Sequence, residues 1–98
     1  MEGYKERMLI ELRELDDKIC KLSQFVLRES SGVGLLTDDD IMLLVDQMTA
    51  MEEYIVILLR RIKLKFNEQE YEDSGVKEIL DRYLTAYIKR FVYGIDRE

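Results

Sequence analysis

The sequence predicts an all-α protein: a helical hairpin of two long amphipathic helices plus a third C-terminal helix, with coiled-coil-like packing and an oligomeric state. Three observations carry this expectation. Apolar residues recur at alternating steps of three and four through two long stretches, the spacing of a heptad seam. The chain is 47% apolar and 37% charged, without proline or tryptophan, a balance of long amphipathic helices and not of disordered chains. Two short polar stretches interrupt the period, and no segment reads as a strand. At 98 residues the chain is expected to be a single helical domain over 1–98. A lone domain of this size buries only about two thirds of its unfolded surface, so it needs an efficient core or a partner.

The first helix is expected over about 3–28. Met8, Leu12, Leu15, Ile19, Leu22 and Val26 form its seam, and Leu9 and Phe25 widen it. Glu14, Asp17, Lys21 and Arg28 fall on the outer face, where pairs four apart, such as Asp17 with Lys21, are favourable. The stretch "ESSGVGLLT" then supplies glycine and serine for a connecting loop. Thr37 is placed to cap the next helix, with Asp38, Asp39 and Asp40 in its first turn, where the helix dipole favours negative charge. A divalent-cation reading of these aspartates is weaker, because adjacent helical residues point in different directions.

The second helix is expected over about 38–66, with Ile41, Leu44, Met48, Met51, Ile55, Leu58 and Ile62 as its seam. Met42, Val45, Tyr54, Val56, Ile57 and Leu59 load its other faces. A helix apolar nearly all round must be covered nearly all round, which one antiparallel neighbour does not achieve. Met48, Met51, Ile55, Leu58 and Ile62 are therefore expected to form the core and the oligomer contact of a homo-oligomer. Residues 67–74, "NEQEYEDS", read as a solvated linker ending in an Asp73 or Ser74 cap. The third helix is expected over about 75–93, with Val76, Ile79, Leu80, Tyr83, Leu84, Tyr87, Ile88, Phe91 and Val92 as its stripe and Gly94 as its stop.

Composition also excludes function classes. The net charge of −6 argues against duplex nucleic acid, whose binding depends on neutralising phosphates. The apolar run from Ile55 to Leu59 is cut short by Arg60 and Arg61, whereas a membrane span needs about 20 apolar residues. The single cysteine, Cys20, allows no intrachain disulfide, and with no signal peptide a reducing cytoplasm is the expected compartment. Cys20 is expected to be a packed or partly packed thiol. Without histidine the commonest general base and metal ligand is missing, and "SGVG" lacks the lysine of a phosphate loop. No enzyme activity, cofactor or metal is expected.

One feature carries chemistry. Arg60, Arg61, Lys63 and Lys65 end the second helix, where cations complement the dipole in any case. The functional reading is that, in an oligomer, Arg60 and Arg61 converge with Arg82, Lys89 and Arg90 of the third helix and with Tyr83, Tyr87 or Tyr93. Guanidinium forks grip phosphate and aromatic rings stack on a base, so this set would suit a nucleotide.

The pattern "YKERMLIELRELDDKICKLSQFV", a short loop, then "LLVDQMTAMEEYIVILLRRI" resembles a family of small helical proteins of phages and prophages related to crAss-like phages. Tyr4, Arg7, Glu11, Leu15, Phe25, Gln47, Met51, Tyr54 and Arg61 carry the resemblance, which covers about the first two thirds of the chain. It implies a phage gene expressed in the cytoplasm of a bacterial host. Non-catalytic phage proteins of this size often counteract host antiviral defence, and the resemblance implies sequestration of a small anionic nucleotide signal, either a cyclic nucleotide or an ADP-ribose type. Two alternatives stand beside it: an inhibitor that covers a host defence protein, and a structural or regulatory helical adaptor.

Overall fold

The computed structural model describes residues 2–88; their regular elements are all helices, with no strand among them. Helix α1 spans Gly3–Arg28 and helix α2 spans Asp38–Lys65. A short helix α3, Glu68–Asp73, precedes α4, Val76–Ile88. The stretch read as a solvated linker is thus partly helical. Asn67 caps it, accepting from the Glu70 N–H at 2.8 Å while the Glu70 carboxylate accepts from the Asn67 N–H at 3.0 Å. The acids there serve the first turn of a helix, where the free N–H groups favour them.

Thr37 begins α2 as its residue type dictates. Its hydroxyl accepts from the Asp40 N–H at 3.1 Å, and the Asp40 carboxylate accepts in return from the Thr37 N–H, a reciprocal capping box. Asp40 is therefore committed to the cap. Between α1 and α2 the chain continues through a π turn, Glu29–Val33, and leaves it at Gly32, where φ is +91°. A side chain there would suffer the steric cost of the left-handed region, so glycine is required. Gly75, at φ +75°, turns the chain from α3 into α4 in the same way.

Helices α1 and α2 pack antiparallel. Arg61 lies beside Tyr4, Arg7 and Glu11, and at the other end Phe25 lies beside Leu36, Leu43 and Leu44. Helix α4 packs on the C-terminal half of α2 and reaches α1 by side chains. Leu12, Ile55, Leu58, Ile62 and Val76 are fully buried where these helices meet, joined by Met8, Leu9, Ile19, Leu59, Phe66, Tyr71 and Tyr83. Each fully buried leucine or isoleucine contributes about 1.5–3 kcal/mol, so this three-helix junction holds the fold.

The seam residues Ile55, Leu58 and Ile62 are thus satisfied within one chain, and Met48 and Met51 are half-buried against the same core. A charge placed at Ile55 or Leu58 would report on folding and not on association. The outward side of α2 is different: Met42, Leu43, Val45, Tyr54, Ile57 and Leu64 are exposed.

Candidate functional site

Two grooves flank the basic end of α2, and they divide Arg60 from Arg61. The first is an open groove of about 830 Å3 between α2, α3 and α4, lined by Leu59, Arg60, Lys63, Tyr71, Lys77, Leu80 and Leu84 together with Glu68, Glu72 and Asp81. Its cations and acids balance. The Lys63 ammonium sits 4.2 Å from the Tyr71 ring centroid, so that ring face is already occupied by a cation.

The second groove, about 410 Å3, lies between the start of α1 and the end of α2 and is lined by Tyr4, Arg7, Met8, Glu11 and Arg61. Helical spacing builds it. Tyr4, Arg7 and Glu11 step by three and four along one face of α1, and Tyr54 and Arg61 lie seven apart on α2. Antiparallel packing then brings the two short series together. The Tyr54 hydroxyl donates to the Glu11 carboxylate, and this bond and burial push the Tyr54 phenol above its usual range, against the opposing pull of Arg61. Glu11 is held toward Tyr54, and Arg7 and Arg61 leave the groove with a surplus of positive charge.

Arg82 and Tyr83 are engaged elsewhere. Arg82 pairs with Asp16, and the buried Tyr83 hydroxyl donates to the same carboxylate at 2.6 Å. Burial first, then the bond to Asp16, raises the Tyr83 phenol far above its ordinary range. These two residues tie α4 to α1, and within the chain they meet neither Arg60 nor Arg61. Lys89, Arg90 and Tyr93 lie outside the described residues. Cys20, expected to be packed or partly packed, is exposed, with its Sγ 3.9 Å from Asp16. Partial burial and the Asp16 charge push its thiol up, away from thiolate chemistry.

Sequence reasoning named Arg61 as a site residue but not Tyr4, Arg7, Glu11 or Tyr54. The signal was present: Tyr4, Arg7, Glu11 and Arg61, four of the five residues that line the groove, and Tyr54 beside it are among those that carry the family resemblance. Among the described residues no group of three His, Cys, Asp or Glu side chains could hold a metal ion, and no helix is long and apolar enough to cross a membrane.

No curated protein and no solved structure matches the chain. A family model described as Sequestin matches residues 2–64, a stretch that contains the whole Arg7 and Arg61 groove but stops short of α3 and α4. By that match over more than half its length, the chain belongs to the Sequestin family.

Proposed function

We propose that this chain is a non-catalytic binding protein that sequesters a small anionic nucleotide, with Arg7 and Arg61 as the phosphate grip. The observation that carries the reading is the placing of two guanidinium groups and a tyrosine around one groove inside the family-matched stretch. Guanidinium forks match phosphate oxygens in pairs, and Tyr4 offers an exposed ring for a base. Glu11, held by Tyr54, offers a carboxylate to sugar hydroxyls or base amines. The family name supports a sequestering role. In the same proposal the protein is phage-encoded and homo-oligomeric. It acts in the cytoplasm of an infected bacterium, where it depletes a cyclic-nucleotide or ADP-ribose-type immune signal.

The test is a thermal-shift screen of the purified protein against cyclic di- and trinucleotides and ADP-ribose derivatives, with inorganic phosphate as the control. A ligand present at 100 times its dissociation constant adds about 2.7 kcal/mol of stability. Replacing Arg7 or Arg61 by Ala is expected to cost about 1.5–3 kcal/mol of binding, roughly ten- to a hundredfold in affinity, with the melting temperature of the free protein preserved. Shifts that survive in both variants would move the site elsewhere, and a screen without any shift would remove the nucleotide reading.

A further inference from the structure

The outward face of α2 carries a second heptad series, distinct from the seam that packs inside the chain. Leu43, Ala50, Ile57 and Leu64 follow one another at intervals of seven. Leu43, Ile57 and Leu64 are 68%, 52% and 84% exposed, although a period of seven is the mark of a helix packed against another helix. Neither α1 nor α4 buries this face: Leu43 borders the groove beside Phe25 yet stays largely exposed, and both helices pack on the side where Ile55, Leu58, Leu59 and Ile62 are buried. The Cα envelope, 46 × 31 × 16 Å, is that of a thin slab with its central helix open on one side.

Charge says what fits there. The N-terminal half of α2 carries Asp46, and the C-terminal end carries Arg60. A parallel second helix would set like charges side by side, whereas an antiparallel one sets acid against base. We infer that this face pairs with the same face of a second copy about a two-fold axis, antiparallel, in the register that places Leu43 against the partner's Leu64 and Ala50 against the partner's Ile57. In that register Asp46 lies across from the partner's Arg60, and the two-fold axis repeats the contact at the other end. The apolar line from Leu43 to Leu64 is about 32 Å long at 1.5 Å per residue, so the contact runs along most of the helix. This geometry deepens the self-association in the proposed function and rests on that part alone, needing no nucleotide.

The experiment is sedimentation equilibrium without nucleotide on wild type, Ile57→Lys, Asp46→Arg, Arg60→Asp and the double variant Asp46→Arg with Arg60→Asp, with circular dichroism as the folding control. Ile57 and Asp46 are exposed in the single chain, so the fold is expected to survive. The inference expects a wild-type assembly that falls to monomer in Ile57→Lys, weakens in each single charge variant and recovers in the double variant. In a Cys20→Ser background, Ala50→Cys with Ile57→Cys is expected to form an interchain disulfide, and Ala50→Cys alone is not. A wild-type monomer at tens of micromolar would overturn self-association altogether. An assembly that persists in Ile57→Lys would overturn this face while leaving self-association standing. A disulfide in Ala50→Cys alone, or no recovery in the double charge variant, would overturn the register.

Discussion

Replacing Asp16 by Ala tests the tie between α4 and the hairpin. The carboxylate accepts from the Tyr83 hydroxyl at 2.6 Å and pairs with Arg82. Tyr83 is only 6% exposed, so its hydroxyl would lose its acceptor where water has little access. A hydrogen bond to a charged group contributes about 1.5–3 kcal/mol. Arg82 is half exposed, and a solvent-screened pair of that kind adds no more than about 1 kcal/mol. The expected loss is therefore on the order of 2–4 kcal/mol. In a domain of this size that lowers the melting temperature by roughly 8–30 °C. Asp17 is the control, because its pair with Lys21 at 2.8 Å is largely exposed on both sides and Asp17→Ala should stay within about 0.5 kcal/mol. Urea unfolding of Asp16→Ala, Tyr83→Phe and the double variant gives the coupling, expected to exceed about 1 kcal/mol. Equal stability of the Asp16→Ala and Asp17→Ala variants, or a coupling near zero, would refute the tie.

Three further outcomes follow from the same geometry. Thr37→Ala removes the α2 cap and should cost about 1 kcal/mol in urea unfolding, and an unchanged midpoint would mean that the capping box contributes nothing in solution. Tyr83 has a raised phenol in the folded state, so its contribution is complete below the unfolded value of about 10 and is lost as pH rises past it, by at most about 1.4 kcal/mol per pH unit. Stability measured from pH 8.5 to 11 should fall less steeply in Tyr83→Phe than in wild type, and identical slopes would contradict this. Glu70 has the opposite sign. The Asn67 N–H and the Lys5 ammonium, 2.9 Å away, hold its carboxyl below the usual range, so its contribution is present above the unfolded value and lost as pH falls through the folded one. Lys5→Met should flatten the acid limb between about pH 5 and 3, and an acid limb matching wild type would refute the α1 to α3 contact.

Periodicity made the long helices legible because a seam of threes and fours repeated over many turns has no other reading. Met8, Leu12, Ile19 and Val26 of that seam are buried in α1, as are Ile55, Leu58 and Ile62 in α2. The short helix α3 was hidden because its six residues hold too few turns for a period to show, and its acids resemble those of a linker. Only the reciprocal pairing of Asn67 with Glu70 distinguishes it. Asp16 and Asp17 are alike in sequence, and their roles diverge because the path of α4 brings Tyr83 and Arg82 to one and not to the other. The candidate groove was half legible. Cations at the end of α2 drew attention to Arg61, but its neighbours Tyr4 and Arg7 lie more than fifty residues away in sequence, and only the antiparallel pairing of α1 with α2 joins them.

The most direct measurement is equilibrium dialysis of the protein against a mixture of cyclic di- and trinucleotides and ADP-ribose derivatives, followed by heat release of what was retained and its chromatographic identification. The account predicts that wild type depletes at least one of these nucleotides in a fixed ratio to protein and returns it chemically intact. Arg7→Ala and Arg61→Ala should retain ten- to a hundredfold less at limiting ligand, from a loss of about 1.5–3 kcal/mol. Recovery of a cleaved product would replace sequestration with catalysis, and no depletion of any nucleotide by wild type would contradict the account.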